Sequence, residues 1–524
     1  MNFPLFYIYQ GLVHIYIALE NGSINTTIIT RYDKMTYKTP KSIAIVGGGT
    51  AGLVTALILK TRLPNLKIDV ICSSKIGIIG VGEGSTEHWI EFMKYINVNH
   101  HDIIKECDAT YKCGIMFKGW ADQDYLHNIS DELNLKSGYY PFFYSRQIAH
   151  GASPKDLVLP RNWNSHVNTW FLDKPYNSPV NQYHFNTNKL NDFLTNRAKL
   201  QGINIIDDEI LDATITDSGD IGTLVGEKSN YEYDFYIDST GFKKLLISKL
   251  GANWQSYSKY LKMKSAIVFP TTDQDEYNMW TVSQAMDYGW MFTIPVWGRR
   301  GNGYIFDSDY ITAEQAKEEV EKFLGHEIDV GKQINFDPGA LDNVWINNCC
   351  AVGLSASFVE PLEASSIGSS IQQAFLLMNK IANYNDAVIK QYNTSVTSIL
   401  ENIRDFIALH YITKKENSKF WKDVQHIELP NSLKEKLELW KYKLPIAEDF
   451  NNGSRFQMFT EAHHILVMNG LGLFDPTAIR TEYEQLDLAV QAHADAVITE
   501  QTEFLSSTKS LPHKHMISAI RNLK

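Results

Sequence analysis

The earliest clear pattern along the chain is an apolar run, a glycine-rich turn and a helical segment in immediate succession. Residues 42–46 are β-prone, residues 53–60 have helical character, and residues 66–72 form a second β-prone run. Between the first run and the helix stands Gly-Gly-Gly-Thr-Ala-Gly at 47–52. A strand, a GxGxxG turn, a helix and another strand at this spacing predict a dinucleotide-binding βαβ unit.

The residues of this turn have physical reasons to be there. We expect Gly47 to make the tight turn, Gly49 to let the backbone approach a pyrophosphate, and Gly52 to let the helix pack closely on the strand. The free N–H groups at the helix N-terminus, where Thr50 and Ala51 stand, then bind the diphosphate.

The second strand lacks the acid that holds the ribose hydroxyls in many folds of this kind. Its position falls on Cys72, and Asp69 stands three residues earlier. The sequence therefore predicts that a backbone group or another side chain holds the ribose.

The rest of the chain divides into a β-rich middle and a helical end. Runs such as 214–224 and 264–270 alternate with turns and predict an inserted mixed sheet. Helical periodicity then predicts helices at 371–384, 388–411, 432–441 and 486–499. We expect an α/β fold with a Rossmann-like core at 41–375, a helical C-terminal subdomain at 376–524 that caps the substrate, and a poorly ordered N-terminal extension at 1–40. Residues 1–34 are expected to be an extension or to follow an upstream start codon, and the polar last 20 or so residues are expected to fray.

Composition narrows the class of protein. The 524 residues carry a net charge of -11, and their basic residues are scattered, which disfavours a nucleic-acid partner. The apolar residues 4–19 lack both the basic start of a signal peptide and the length of a membrane span. The five cysteines show no metal-ligand spacing and fit a reducing cytoplasm, with Cys349 and Cys350 expected to be buried apolar residues.

Several separated stretches agree in order and spacing with one known family over about residues 40–400. They are GGGTAG at 47–52, GVGEGS at 80–85, YHFNTNKLNDFL at 183–194, YDFYIDSTGF at 233–242, GWMFTIPVWGRRGNGY at 289–304, and CAVGLSASFVEPLEASSIGSS at 350–370. In these stretches the chain resembles the flavin-dependent tryptophan halogenases. The resemblance implies a Rossmann-like FAD-binding fold, FAD used as FADH2 from a separate NAD(P)H-dependent flavin reductase, and O2, a halide ion and a small aromatic substrate. A homodimer is expected by analogy.

The stretch at 289–295 resembles the Trp-x-Trp-x-Ile-Pro signature of that family. Its bulky aromatics are thought to fill the space beside the flavin and disfavour ordinary monooxygenation. Trp290, Ile294 and Pro295 match the signature, and Phe292 stands in place of the second tryptophan. The resemblance thus implies a wall made of these four residues.

The resemblance also assigns further contacts to the flavin and the halide. The segment at 80–85, with Gly82 and Glu83, resembles the mobile flavin loop, and the turns at 238–241 and 353–355 resemble two further nucleotide-contacting turns. Halide binding falls on a strand-to-helix break, where Ser366 replaces the family glycine; this leaves halide choice open and makes bromide or iodide plausible on chemical ease of oxidation. The remaining residues so implied are Gly353, Leu354 and Ile367 for the cofactor and Ser365 beside Ser366 for the halide.

Two catalytic residues follow from the family register. A buried lysine that captures and aims hypohalous acid falls on Lys112, although period-two alternation would put Lys118 on the same strand face. The acid–base group that deprotonates the cationic intermediate falls on Glu363, with Glu360 as its competitor. Either glutamate could instead be an ordinary acid at a helix N-terminus.

The substrate side departs from the family. Tyr140 stands where the family has a histidine that stacks on the indole, and Phe142 keeps the aromatic wall. The stretch 450–456 lacks the tyrosines and acid that grip free tryptophan, so we expect indoles or other electron-rich aromatics as substrates, with a peptide or a polyketide-like aromatic as the alternative. Two other readings stay open, namely an aromatic monooxygenase and a flavin-binding protein without turnover.

Overall fold

The computed structural model describes residues 15–20, 23–28, 37–78, 83–128, 140–158, 160–450 and 457–523. Its centre is the predicted strand–turn–helix unit, with the strand Ser42–Val46 followed by the helix Thr50–Arg62 and the strand Lys67–Cys72. Ile43, Ala44 and Ile45 are fully buried, because a parallel strand covered on both faces needs a continuous apolar run. The βαβ unit is therefore confirmed.

This unit belongs to a six-stranded sheet that is parallel except at one edge. Its order is Asn204–Asp207, Lys67–Cys72, Ser42–Val46, Phe235–Asp238, Cys349–Ala351 and Trp345–Ile346. The middle positions of this order place the ends of Ser42–Val46, Phe235–Asp238 and Cys349–Ala351 side by side. Three glycine-containing turns thus meet at one edge of the sheet. In folds of this kind the ligand binds at that edge, beyond the carboxyl ends of the strands. Cys349 and Cys350 are buried and unpaired, as predicted.

The inserted mixed sheet is also present and has seven strands. Its order is Lys332–Asn335, Ser265–Thr271, Arg299–Phe306, Gly289–Val296, Trp280–Met286, Gly114–Lys118 and Tyr125–Asn128. Only Trp280–Met286 and Gly114–Lys118 pair in parallel. The signature stretch is thus a central strand of this sheet, which explains its apolar character.

Five smaller sheets are also described. A three-stranded sheet made of Glu83–Gly84, Gln182–Phe185 and Thr110–Lys112 lies at the candidate site. The predicted run 214–224 contains a turn, so it forms parts of two strands instead of one. The remaining pairings are Ile210–Ile215 with Ile221–Gly226 and Asn230–Glu232, Trp254–Ser256 with Gly339–Leu341 and Ser357–Phe358, His166–Asn168 with Ser510–Pro512, and Ile15–Glu20 with Ser23–Ile28.

Helices cover the sheets and form most of the C-terminal part. The helix predicted at 371–384 begins earlier and ends earlier, at Ser365–Met378, and the predicted boundary at residue 375 falls inside it. The division into three parts stays a prediction. The other α-helices are His88–Tyr95, His100–Glu106, Tyr140–Ala149, Pro160–Trp163, Thr187–Leu200, Ala313–Leu324, Asp386–His410, Lys419–Val424, Asn431–Trp440, Glu461–Gly470, Pro476–Glu484, Leu488–Ser507 and His513–Arg521.

The C-terminal tail is ordered, so the prediction that it frays is wrong. The strand Ser510–Pro512 pairs with His166–Asn168, and the helix His513–Arg521 buries Met516, Ile517 and Ile520. These three apolar residues lie on one helical face, and their burial outweighs the polar composition around them.

The two ends of the described chain give two further facts. The predicted extension at 1–40 lies mostly outside the described residues, and within it Lys38 forms an isolated bridge with Tyr384. Among the described helices, none is both long enough and apolar enough to cross a lipid bilayer.

Candidate active site

The glycine turn has the geometry that its sequence predicts. An ideal Cβ at Gly47 would overlap the carbonyl of Ser239, and one at Gly52 would overlap the carbonyl of Gly47. An ideal Cβ at Gly49 would meet nothing within 4 Å, so open space borders the backbone there. The helix that begins at Thr50 has no side-chain cap and no acid in its first turn, which leaves its N–H groups free to bind an anion.

The two other turns close around this one. Gly353 has a positive φ of 60°, and an ideal Cβ there would lie 2.5 Å from the Cβ of Ala51. The buried Asp238 carboxylate accepts hydrogen bonds from the hydroxyls of Thr240 and Ser355 at 2.7 and 3.1 Å. These contacts fix the turns at 238–241 and 353–355 beside the first helix. Leu354 is half-buried next to them.

Neither Asp69 nor Cys72 of the second strand offers a free carboxylate for a ribose. Asp69 is buried and accepts a hydrogen bond from the hydroxyl of Tyr233, so its carboxylate is already engaged. Cys72 lies under the turn, since an ideal Cβ at Gly48 would be 2.7 Å from its Sγ. Burial raises the pKa of the Cys72 thiol, which keeps it in the neutral form.

The end of the predicted flavin loop lies against the predicted catalytic lysine. Gly82 lies outside the described residues, and of Glu83 the backbone is described, paired with Phe185. An ideal Cβ at Gly84 would lie 3.4 Å from both the Nζ of Lys112 and the Cβ of Ala364. The loop, the lysine and the predicted halide segment therefore meet at one point.

Lys112 is buried in the strand Thr110–Lys112, with 1% of its surface exposed. Its Nζ donates a hydrogen bond of 2.7 Å to the carbonyl of Ser85. Burial lowers the pKa of Lys112 to about 8, against an opposing attraction from Glu363 and Glu87. A buried amine with a pKa near neutrality is suited to proton transfer or to hydrogen bonding with a reactant.

Lys118 does not share this environment. Period-two alternation holds only if the two lysines lie on one strand. The chain instead leaves one sheet after Lys112 and enters another at Gly114. Lys118 ends the second strand and is only partly buried. The alternation argument that placed both lysines on one face is therefore wrong, and Lys112 alone is buried beside the turns.

Glu363 is buried at the end of a short 3-10 helix, Pro361–Glu363, and faces two histidines. Its two carboxylate oxygens lie 3.0 and 2.9 Å from the Nδ1 of His127. The Nε2 of His410 lies 2.8 Å from Oε1, although at an angle that is poor for a hydrogen bond. Burial would raise the pKa of Glu363, but the attraction of His127 and His410 outweighs it and holds the pKa well below its usual range.

Glu360, three residues earlier, has different partners. Its Oε2 accepts hydrogen bonds from the Nε1 of Trp290 at 2.8 Å and from the hydroxyl of Tyr411 at 2.6 Å. Its Oε1 is buried without a partner among the described residues. Burial raises the pKa of Glu360 to about 7, and the two hydrogen bonds oppose that rise. The competitor glutamate is thus bound to the signature tryptophan.

The four signature residues are buried in the strand Gly289–Val296. The rings of Trp290 and Phe292 are tilted at 50° with centroids 6.3 Å apart. Phe292 lies over Gly303 on the next strand, since an ideal Cβ at Gly303 would be 2.4 Å from its ring. The Pro295 carbonyl accepts a hydrogen bond from the hydroxyl of Thr110, which ties this strand to the lysine strand. Ile294, the residue before Pro295, is also buried.

The predicted halide segment is a helix N-terminus. Ala364 has a φ of 53°, a left-handed conformation that is uncommon for a residue with a side chain. The helix that follows has no side-chain cap and no acid in its first turn. Ser365 and Ile367 are buried and Ser366 is exposed. The free N–H groups at the start of this helix therefore present a partial positive charge next to Lys112 and Gly84.

The predicted substrate wall is described only in part. The helix Tyr140–Ala149 contains Tyr140 and Phe142, and the side chains of both lie outside the described residues. The stretch 451–456 also lies outside them.

Sequence reasoning missed the histidines around Glu363. His127 lies on the strand Tyr125–Asn128, His410 ends the helix Asp386–His410, and His463 lies on the helix Glu461–Gly470. All three are buried. The strand pattern of 125–128 was a usable signal for His127, whereas no local pattern links residues so far apart in sequence.

Comparison with known proteins agrees with this geometry. Residues 42–484 match the family model for tryptophan halogenase. The chain is 32% identical over 447 residues to the 7-chloro-L-tryptophan 6-halogenase of Kutzneria sp. (strain 744), covering 78% of this chain and 86% of that protein. Among solved structures, a tryptophan halogenase from Shewanella frigidimarina NCIMB 400 has a TM-score of 0.84 at 26% identity, covering 93% of this chain and 98% of that one.

A second solved structure is that of a flavin-dependent enzyme. It is a tryptophan C-6 flavin-dependent halogenase (chlorinase) from taromycin biosynthesis, with a TM-score of 0.82 at 26% identity, covering 92% of this chain and 100% of that one. The match over most of the chain and the shared fold lead to one conclusion. The chain belongs to the tryptophan halogenase family and is a flavin-dependent halogenase.

Proposed function

We propose that this protein uses FADH2, O2 and a halide ion to halogenate an electron-rich, indole-like aromatic compound. A separate NAD(P)H-dependent flavin reductase supplies the FADH2. The observation that carries the proposal is the buried Lys112 amine, held at the point where the glycine loop and a free helix N-terminus meet. A hydroxylase of similar fold has no use for an amine in that place.

The three turns fit FAD. The open space at Gly49 admits a diphosphate, and the uncapped helix at Thr50 and Ala51 supplies N–H donors for it. Gly47 and Gly52 permit the close approach of the turn, and Gly353 and Leu354 line the neighbouring turn. Glu83, Gly82 and Ile367 are assigned to the flavin on family register. When bound, the reduced flavin supplies hypohalous acid from O2 and halide.

The halide binds at the helix N-terminus that begins at Ser365. The N–H groups of Ser365 and Ser366 lie in its first turn, where the partial charge of the helix favours an anion. Ser366 carries a side chain where the family has glycine, and it is exposed. We propose that this residue sets the halide preference and that bromide or iodide is preferred.

Lys112 captures hypohalous acid and aims it at the substrate. With a pKa of about 8, the amine is largely protonated at pH 7 and donates a hydrogen bond to the oxygen of hypohalous acid. That bond stabilises the oxygen as the halogen leaves it for the ring carbon. Burial excludes water, which would otherwise let the reagent diffuse away.

Glu363 is the base on the other side of the reaction. A carboxylate held in its ionised form stabilises the cationic ring and then accepts its proton. His127 and His410 keep Glu363 in that form. Glu360 is unsuited to this role because Trp290 and Tyr411 donate to its Oε2 and burial favours its neutral form.

The test measures products in the presence of each halide. The full-length protein is incubated with FAD, a flavin reductase, NADH and chloride, bromide or iodide in turn, with indole and phenols as substrates. A thioether scavenger removes freely diffusing hypohalous acid, and products are identified by mass.

We expect halogenated products from wild type and a loss of about 100-fold or more in Lys112→Met. Lys118→Met is the matched control and should retain activity, because Lys118 lies in a different sheet. Undiminished product in Lys112→Met with the scavenger present contradicts the proposal. Hydroxylated product would establish a monooxygenase, and flavin binding without either product would establish a non-catalytic protein.

A further inference from the structure

A row of four ionisable side chains crosses the buried space beside Lys112. Glu363 lies 2.9 Å from the Nδ1 of His127, whose Nε2 lies 3.1 Å from the Nδ1 of His463. The Nε2 of His463 lies 3.9 Å from the Oε1 of Glu87. The two imidazoles thus lie end to end, with His127 at hydrogen-bond distance from Glu363 and His463 farther from Glu87 than a hydrogen bond reaches. The row runs from the fully buried Glu363 to Glu87, whose side chain is 25% exposed.

The contacts favour particular positions for the protons on the two imidazoles. A carboxylate only accepts hydrogen bonds, so the Nδ1 of His127 must carry a proton to bind Glu363. The Nε2 of His463 faces the carboxylate of Glu87, which likewise favours a proton there. The contact between the two rings needs one more N–H, because two bare nitrogens 3.1 Å apart would repel each other. With a proton on the Nε2 of His463 as well, the pair holds three protons on four nitrogens and carries one positive charge; without that proton both rings are neutral.

We propose that His127 and His463 carry one shared positive charge that keeps the buried Glu363 ionised. His463 and Glu87 are positioning residues in this row, since they act on Glu363 through His127. The inference rests on the proposed role of Glu363 as a base, and it adds the device that sets the charge of that base.

We place the charge beside Glu363, because the carboxylate lies at hydrogen-bond distance from the ring of His127. Burial lowers the pKa of His463 to about 4, with the neighbouring His127 adding to that fall and Glu87 opposing it. An isolated carboxylate in such a place would become protonated, because burial disfavours charge without a partner. An imidazolium at hydrogen-bond distance compensates for that cost.

Other groups also face the row and enter its charge balance. Lys112 and His410 approach Glu363, and His88 approaches His463. The remaining neighbours are Tyr125, which senses the Glu363 charge, and His464, which senses both His463 and His127. Lys112 and His410 are the other positive partners of Glu363, so loss of the His127 charge removes one of three and weakens the support of the ionised form.

The first test reads the protonation of the imidazoles directly in the whole protein. Histidine is labelled with ¹⁵N, and the spectra of wild type and His463→Gln are compared between pH 5 and 9. We expect a ring with both nitrogens protonated at pH 7 whose signals change in the variant, which distinguishes this pair from His410, the other imidazole beside Glu363. Two neutral rings at pH 7 would overturn the proposal, whether or not the protein halogenates anything.

The second test links the row to turnover. Activity that needs ionised Glu363 is present above its pKa and lost as the pH falls through it, so weaker support moves the acid limb to higher pH. His463→Leu removes the acceptor of the His127 proton and should move the acid limb of kcat up by about one pH unit. His463→Gln offers a carbonyl acceptor and should restore most of the wild-type profile.

His464→Gln is the matched control, because His464 is buried on the same helix and its Nδ1 contacts the backbone carbonyl of Thr460. It should leave the acid limb in place. An unshifted limb in folded His463→Leu would refute the positioning role, and so would a shift of equal size in His464→Gln. Absence of halogenation in wild type would instead contradict the proposed function, while the spectra would still decide the charge of the pair.

Discussion

Two buried glutamates three residues apart in sequence have opposite electrostatic surroundings. Glu360 is bound by the uncharged donors of Trp290 and Tyr411, and burial raises its pKa to about 7. Glu363 faces His127 and His410, and despite its burial its pKa is held well below the usual range. Burial is the same for both, so the partners decide which carboxyl is ionised.

The difference assigns different work to the two residues. A carboxyl near its pKa and tied to the signature tryptophan serves as a buried anchor for that ring. A carboxylate with cationic neighbours can accept a proton from a substrate. The short helix Pro361–Glu363 and the left-handed Ala364 turn the chain sharply, so the two side chains reach different parts of the molecule.

A pair of matched substitutions tests the difference between Glu360 and Glu363 most strongly. Glu363→Gln removes the proposed base and should lower kcat by about 10² to 10⁴-fold. Glu360→Gln keeps an oxygen that accepts from Trp290 and Tyr411, and it should lower kcat far less. Halogenation assays with a flavin reductase measure both. Equal losses in the two variants would show that register alone misassigned the base.

The same two variants should differ in sign when stability is measured against pH. The folded pKa of Glu360 is raised to about 7, so its ionisation destabilises the fold as the pH rises from its unfolded value toward 7. Glu360→Gln should therefore gain about 1–3 kcal/mol relative to wild type between pH 5 and pH 8. The pKa of Glu363 is depressed, so its contribution is present above its unfolded pKa and is lost as the pH falls.

Urea unfolding at pH 5 and pH 8 measures this difference. Glu363→Gln should be destabilised at both values, because both lie above the unfolded pKa of a glutamate and the substitution leaves the His127 charge uncompensated. A pH-independent effect of Glu360→Gln would mean that Trp290 and Tyr411 hold Glu360 in one protonation state throughout this range.

The sequence predicted the geometry of the glycine turn and its strand well because the constraints on them are local. Gly47 and Gly52 are required by contacts within a single turn and its strand, and the apolar run 42–46 is required by burial on both faces. Spacing along the chain therefore carries the information. Family register placed Lys112 and Glu363 in the same region, which periodicity alone could not do.

The histidine row was missed because its order is set by the fold. His127 and His463 are 336 residues apart and meet only when the helix Glu461–Gly470 packs on the strand Tyr125–Asn128. The Lys118 alternative failed for a related reason, since the chain changes sheets between Lys112 and Gly114 and resets the alternation of faces. The packed helix His513–Arg521 was not predicted because the burial of only three apolar residues outweighs the polar composition around them.

The smallest expected effect concerns the wall beside Glu360. Phe292→Trp restores the second tryptophan of the signature next to Trp290, and halogenation should be retained within about 10-fold because the wall stays flat and apolar. Its larger ring must fit where Phe292 already lies against Gly303, so we expect a cost of about 1–3 kcal/mol in unfolding free energy.

The new indole N–H has a candidate acceptor that distinguishes the two tryptophans. Ser283 lies directly across from Phe292 on the neighbouring strand, and its Oγ is buried without a partner among the described residues. Adding Ser283→Ala to Phe292→Trp should therefore destabilise the protein more than Ser283→Ala does alone, by about 1 kcal/mol. Additive effects would mean that the new ring turns away from Ser283. Lost halogenation in folded Phe292→Trp would show that this wall is matched to phenylalanine, in contrast to the tryptophan that Glu360 holds.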